Sequence, residues 1–222
     1  MTQLNAAIAA IPLPARMRHL PVSDKGFPVP WFVEWIGGKP DFRVMDAGKL
    51  RRALKFDLCW LCGQTLGRFK VFTIGPMCAV NRTSAEPPSH RDCAEYAVKA
   101  CPFLTRPRMR RNDKDLPANS IGAGGIMLER NPGCTLLWIT HDYRVIGTAN
   151  GPLLRIGEPV EIVAYAEGRQ ATRAELDASI TSGLPLLAKE AALDGEAGQR
   201  ELAAAMNRAQ ALFEQKLTLA NA

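Results

Sequence analysis

The sequence predicts an α+β fold in which a zinc-binding module accompanies a small antiparallel sheet and C-terminal helices. First, two ligand pairs, Cys59/Cys62 and His90/Cys93, each have two intervening residues, the spacing of a four-coordinate structural zinc site. Second, short β-branched and aromatic runs are separated by glycine and proline, as in antiparallel sheets. Third, the Ala-rich C-terminal stretch has apolar residues at helical spacing. An apolar content of 47% over 222 residues is sufficient for a hydrophobic core.

The first half of the chain divides into an N-terminal arm and a basic module. Residues 1–27 show little periodicity and predict a loose arm, and residues 28–114 form the predicted zinc-binding module. Within the module, residues 29–36 and 42–45 are strand-like runs on either side of a turn. Asp46 is placed to cap a helix through its side-chain oxygen.

The segment between the two ligand pairs predicts a hairpin followed by a helix. Residues 68–74 alternate between basic or polar and apolar side chains, which indicates a half-buried strand. Gly75-Pro76 is a turn signal, and we expect residues 77–80 to return as the second hairpin strand. Ser89 is then the predicted N-cap of a helix that ends before Pro102.

The third region, residues 115–222, is predicted to contain β-strands followed by helices. Glycine-rich residues 118–133 indicate a loop, and three apolar runs predict strands. These runs are residues 135–140, 153–156 and 160–166.

Two helices are predicted at the C-terminal end. Thr172 and Glu175 have the spacing of a capping box that opens the first helix. Gly183 and Pro185 are stop signals, so we expect this helix to end at Ser182. The last predicted helix covers residues 199–217.

Cys59, Cys62, His90 and Cys93 are the predicted ligands of a structural Zn²⁺ ion. Gly63 would let the chain turn tightly after the first pair, and the start of a helix would place the second pair on one face. Four ligands close a tetrahedral site, whereas a catalytic zinc keeps a position for water. Alternatives are Cys78 in place of His90, a redox Cys-x-x-Cys, or two unrelated buried pairs.

The order of knuckle, hairpin and ligand-bearing helix over residues 57–101 resembles the treble-clef zinc finger. The treble clef is also the frame of HNH nucleases, which makes such a nuclease a further alternative. These enzymes need a histidine in the hairpin, and residues 67–81 contain none, with Asn81 the sole candidate for a second metal site. We therefore predict no catalytic residues.

The charge distribution points to an anionic partner for the first half. The formal net charge is +6; residues 1–114 contain 19 basic and 9 acidic residues, and residues 115–222 contain 9 and 13. Arginines around a zinc module are suited to phosphate contacts, although they could instead pair with acids of the second half. The predicted nucleic-acid-binding residues are Arg51, Arg52, Lys55, Arg68, Lys70, Arg82, Arg91, Arg106, Arg108, Arg110 and Arg111.

A longer set of motifs looks like a group of uncharacterised bacterial and bacteriophage proteins. The set includes Cys-Trp-Leu-Cys-Gly at 59–63, Ile-Gly-Pro-Met-Cys at 74–78, His-Arg-Asp-Cys at 90–93 and Arg-Ile-Gly-Glu-Pro at 155–159. The resemblance spans about residues 28–187. It implies a phage or prophage setting and a metal module, and it carries no known activity.

Taken together, these patterns predict a zinc-stabilised, non-enzymatic accessory protein that binds nucleic acid. The alternative is a protein-binding modulator of a host or phage enzyme, or an oligomer formed through the C-terminal helix. We expect a cytoplasmic protein, since the start of the chain lacks a secretory pattern and no apolar run could span a membrane.

Overall fold

The computed structural model describes residues 3–107, 109–112, 114–116, 130–148 and 151–220. They form the α+β fold that the sequence predicts, with sheets that are antiparallel except for one short parallel pair, and with C-terminal helices.

The helices and strands are numbered here in chain order within these described residues. The strands are β1 (Val33–Ile36), β2 (Lys39–Met45), β3 (Lys70–Ile74), β4 (Thr83–Ser84), β5 (Thr135–Thr140), β6 (Tyr143–Thr148), β7 (Gly151–Ile156), β8 (Pro159–Ala166), β9 (Arg169–Gln170) and β10 (Leu217–Thr218). The α-helices are α1 (Ala47–Phe56), α2 (Pro76–Asn81), α3 (Arg91–Ala100), α4 (Pro102–Thr105), α5 (Arg173–Leu193) and α6 (Gly195–Lys216).

The main sheet has the strand order β10-β8-β5-β3, and β9 pairs with β8. Strand β5 pairs antiparallel with both β3 and β8, so that Phe72, Trp138 and Ile162 lie side by side across three strands. All three side chains are fully buried. Strand β3 thus shares a sheet and a core with strands that follow residue 115, although the sequence places it in the zinc-binding module.

Alternation along the strands gives this sheet two buried faces. The face that carries Phe72 and Trp138 packs against α2, α5 and α6. The face that carries Val71 and Leu137 packs against α3, through Ala94. Since successive side chains of a strand point to opposite faces, one strand can serve both cores.

Two smaller sheets complete the described β-structure. Strands β1 and β2 form a hairpin, and β4, β7 and β6 form a three-stranded antiparallel sheet. Residues 143–148, which form β6, were not among the predicted strands. All of β6 after Tyr143 is exposed, so it lacks the alternation on which a sequence prediction depends.

The predicted hairpin strand at residues 77–80 is wrong, because these residues belong to helix α2. Pro76 occupies the first turn of α2, where its missing N–H is not needed and its fixed φ suits a helix. Strand β3 finds its partner in β5 instead. The hairpin expected for a treble clef is therefore not formed by residues 67–81.

The predicted end of the first C-terminal helix at Ser182 is also wrong, because α5 continues to Leu193. A Cβ atom on Gly183 would lie 2.6 Å from Cγ of Met77, so glycine here permits the close approach of α2 and α5. Pro185 also lies inside the helix. Tertiary packing thus overrides two local stop signals.

The loose arm predicted for residues 1–27 is packed against the ligand-bearing segments over its described part. Ile8, Met17 and Leu20 are buried in one cluster with Cys59 and Cys62. Apolar residues can fill a core even where their spacing along the chain shows no periodicity. The N-terminal segment therefore covers the candidate metal site.

The apolar side of α6 faces the interior of the chain. Ala205, Ala209 and Phe213 are buried, and Leu202 and Met206 pack against the same core. This stripe is therefore used within the chain, and an oligomer interface through α6 stays a prediction. None of the described helices combines the length and apolar character needed to cross a bilayer.

Candidate metal centre and basic surface

The first ligand pair lies on a tight knuckle between α1 and β3. The amide of Gly63 donates to the carbonyl of Cys59 at 2.8 Å, and the amide of Cys59 donates to the carbonyl of Gln64 at 2.8 Å. Gly63 has φ +75°, a left-handed conformation that glycine adopts without steric cost. The reversal brings the side chains of Cys59 and Cys62 together, as the sequence predicts.

The second ligand pair is positioned by strand β3 and helix α3. Ser89 exchanges two backbone hydrogen bonds with Val71, at 2.8 and 3.1 Å, which anchors the entry to α3. His90 occupies the N-cap position, and Cys93 lies in the first helical turn. The predicted N-cap, Ser89, is therefore one residue early.

The four predicted ligands, Cys59, Cys62, His90 and Cys93, form one buried cluster that we call the metal-ligand group. Their ligand atoms lie within 4.8 Å of one another. The distance from Cys62 Sγ to His90 Nδ1 is 3.4 Å. Ligands at usual zinc distances in a tetrahedron would be about 3.6 Å apart. The residues therefore fit a four-coordinate metal ion.

Backbone and ring contacts orient the metal-ligand group. The amides of Cys62 and His90 each point at Cys59 Sγ at 3.4 Å, which stabilises a thiolate. The other ring nitrogen of His90, Nε2, is 3.0 Å from the carbonyl oxygen of Thr65. With Nε2–H donating to this carbonyl, Nδ1 is left as the ligand atom.

Hydrogen bonds within the metal-ligand group shift the pKa values of its members. Burial opposes ionisation of Cys59, but hydrogen bonds from Cys62, Cys93 and His90 outweigh it and lower the pKa of Cys59. Burial likewise opposes a charge on His90, but hydrogen bonds with Cys59 and Cys62 raise the pKa of His90 to about 10. Hydrogen bonds with Cys59 and Cys62, together with burial, raise the pKa of Cys93. A bound metal ion would displace the protons that these groups share, since the ligand forms are thiolate and neutral imidazole.

The other cysteines lie outside the metal-ligand group. Cys78, the alternative fourth ligand, is half-buried in α2 and packs against the main core. Cys101 is the residue between α3 and α4. Cys134 is fully buried, as predicted, and burial raises its pKa to about 12.

Three of the predicted nucleic-acid-binding residues are engaged in ion pairs. Arg91 donates to both carboxylate oxygens of Glu161, at 2.6 and 2.9 Å. Arg82 pairs with Glu158, and Lys70 pairs with Asp57. Glu158 and Glu161 belong to the acidic second half, so part of the charge asymmetry is neutralised within the chain.

Six of the predicted residues are exposed and make no ion pair with any described residue, and four of them precede β3 in the chain. We call these four the basic surface: Arg51, Arg52, Lys55 and Arg68. At about 100° per residue, the three in α1 fall within an arc of about 100°, opposite the core-facing Ala53. Helix α1 contains no acidic residue.

The remaining predicted residues follow α4. Arg106 and Arg110 are exposed and also make no ion pair with the described part of the chain. Arg111 donates to the carbonyl of Arg43 at 2.8 Å, which ties this segment to β2. Arg108 lies outside the described residues. Contact of these residues with nucleic acid stays a prediction.

Two exposed aromatic residues adjoin the basic surface, and the sequence patterns above did not indicate them. Phe56 is 54% exposed beside Lys55, and Phe69 is 48% exposed beside Arg68. An aromatic residue next to a cation at a loop could have indicated them. Of the tryptophans near the metal-ligand group, Trp60 is buried and Trp31 is half-buried.

The chain was compared with known families, curated proteins and solved structures. No family model, curated protein or solved structure matches it.

Proposed function

We propose that the protein is a zinc-stabilised, non-enzymatic accessory protein that binds nucleic acid through the basic surface. The phage or prophage setting rests on the resemblance of the sequence motifs. The observation that carries the proposal is the set of four exposed cations without acidic partners among the described residues, held beside the metal-ligand group. Three thiolates and one imidazole are a donor set typical of structural zinc.

A structural role for the metal follows from the number and burial of its ligands. Four protein ligands complete a tetrahedron, so a bound ion would have no position left for a substrate or water. All four ligands are buried. The metal would thus stabilise the fold, and the surface that it holds in place would bind the partner.

The basic surface is connected to the metal-ligand group by direct packing. The guanidinium of Arg52 lies 5.6 Å from the ring centre of Trp31. The ring of Trp31 in turn occupies the space next to Gly63 at the knuckle. A correctly folded knuckle therefore positions at least one of the cations.

The first test is the salt dependence of binding. Four phosphate contacts give a log–log slope of about −2.8 on a single strand and about −3.6 on a duplex. Affinity should therefore fall about 50- to 150-fold between 50 and 200 mM salt. Fluorescence anisotropy with labelled DNA and RNA measures this. Absence of binding to every polymer at low salt would reject the proposal.

A matched pair of triple variants tests the location of the site. Replacing Arg51, Arg52 and Lys55 by alanine should weaken binding and make the salt slope about 2 to 3 less steep. The control replaces Arg200, Arg208 and Lys216, which are exposed on α6, and removes the same charge. Equal losses in both variants would show a general charge effect and no defined surface.

A protein-binding modulator is the second candidate, supported by the β1–β2 hairpin. Trp35 is 43% exposed there, and Ile36 and Phe42 are also exposed. Large apolar side chains grouped on one hairpin are typical of protein contacts. Light-scattering mass before and after Trp35→Ser tests self-association: a dimer of the wild-type chain that the variant loses would support this candidate, and an unchanged monomer would not.

A further inference from the structure

Three exposed flat groups lie against one another at the surface, where β3 begins and β5 ends. The Phe69 and His141 ring centres are 5.0 Å apart with 30° between the planes, and the Arg68 guanidinium is 5.7 Å from the Phe69 ring. We call Arg68, Phe69 and His141 the ring stack. The pairing of Lys70 with Thr140 brings the two segments together.

The ring stack is exposed, which distinguishes it from a core contact. Phe69 retains 48% of its surface in solvent, and Arg68 and His141 are exposed as well. The neighbouring Phe72 is fully buried, so the main core does not depend on Phe69. A half-exposed ring flanked by a cation and an imidazole offers surface on which another flat, electron-rich group can pack.

A second exposed aromatic residue lies on an adjoining segment. Phe56 is followed by Asp57, and Asp57 forms an ion pair with Lys70, the residue after Phe69. The amide of Leu66 also donates to the carbonyl of Asp57 at 2.8 Å. These contacts hold the end of α1, with Phe56 and Lys55, to the start of β3, which follows Arg68 and Phe69 directly.

We propose that the ring stack binds an unpaired nucleobase, so that the polymer recognised by this protein is single-stranded. The inference rests on the proposed function, in which the basic surface contacts phosphates. In a duplex the base faces are covered by neighbouring base pairs and only their edges are accessible in the grooves. Aromatic side chains beside a basic track are the arrangement that binds single strands, because every base has a face that can stack.

The experiment compares a single-stranded DNA, the RNA of the same sequence and the DNA duplex of the same length. We expect the wild-type chain to bind a single strand at least about tenfold more tightly than the duplex. Phe69→Ala should weaken single-strand binding about 5- to 150-fold and change duplex binding by less than about twofold. A preference for RNA or DNA assigns the polymer, and either supports the inference.

Two further variants separate stacking from folding. Phe42→Ala removes an equally exposed phenylalanine from β2, 45% exposed, and should leave single-strand affinity unchanged. Phe69→Tyr keeps the ring and should retain affinity within about threefold of wild type. An oligonucleotide with one 2-aminopurine should lose fluorescence on binding to the wild-type chain and less so with Phe69→Ala.

The outcomes distinguish this inference from the proposed function. Salt-dependent binding of duplex and single strand with equal affinity, unaffected by Phe69→Ala, would overturn the ring stack and leave the basic surface in place. A Phe69→Tyr variant as weak as Phe69→Ala would also overturn it. Failure to bind any of the three polymers would reject both.

Discussion

Gly63→Ala is expected to destabilise the protein strongly, since Gly63 lies where the knuckle contacts an aromatic ring. The φ of +75° at Gly63 costs an L-residue about 1–2 kcal/mol. An added Cβ would also lie 2.6 Å from Cγ and 2.7 Å from Cδ1 of Trp31, well inside van der Waals contact. Relieving such a contact in a packed region costs about 1–3 kcal/mol. The two effects together predict a loss of about 2–5 kcal/mol.

Trp31 cannot relieve this clash by a small movement. Its ring makes an edge contact with Trp60, with ring centres 6.5 Å apart, and carries Arg52 on its face. Its backbone amide donates to the carbonyl of Leu61 at 2.8 Å. The backbone of Trp31 is therefore fixed to the knuckle while its ring contacts Trp60 and Arg52, so a displacement would disturb both the knuckle and the basic surface.

Gly67→Ala is the matched control in the same loop. A Cβ on Gly67 would meet nothing within 4 Å, and Gly67 is not among the described glycines with positive φ. This change should leave the stability unchanged or raise it by up to about 1 kcal/mol. Urea denaturation followed by tryptophan fluorescence, at fixed free zinc, measures both variants. A difference below about 0.5 kcal/mol between them would refute the reasoning.

Three other predictions follow from single contacts. Cys62→Ser should abolish bound zinc, measured by elemental analysis, and lose the folded N-terminal half by circular dichroism; a folded, zinc-free variant would contradict a structural site. Trp138→Phe should cost about 2 kcal/mol in urea denaturation, because the Trp138 Nε1 hydrogen bond to Gly157 at 2.9 Å is lost. Hydrogen bonds from Arg169 and Thr172 lower the pKa of Glu175 to about 2, below its usual 4.5. The folding stability that ionised Glu175 contributes is therefore complete above pH 4.5 and is lost as pH falls through about 2. The stability difference between wild type and Glu175→Gln should therefore shrink between pH 5 and 2, and a constant difference would exclude this cause.

Features set by a few neighbouring residues could be predicted from the sequence. Asp46 caps α1 by accepting from the amide of Lys49, and Thr172 and Glu175 form the expected capping box. The two ligand pairs were likewise found from their spacing, since each pair needs only a turn or one helical turn to converge. These arrangements are confirmed because their geometry is local.

Features set by contacts between distant segments could not be predicted. Gly183 and Pro185 are helix terminators locally, yet α5 continues past both while packing against Met77. Arg82 and Glu158 are 76 residues apart, so the sequence around Arg82 did not indicate their ion pair. The number of cations in a segment therefore overstates the number available to a partner.

Ion pairs within the chain reduce the number of basic residues that are free to bind nucleic acid. The sequence suggests a broad ring of basic residues around the metal-ligand group that could bind phosphates by charge alone. Three of these residues, Lys70, Arg82 and Arg91, instead form ion pairs within the chain. Within the basic surface, Lys55 and Arg68 lie beside exposed rings, and Arg52 is joined to the knuckle through Trp31. Because the same knuckle carries two metal ligands, metal binding and polymer binding should be lost together in Gly63→Ala and retained together in Gly67→Ala.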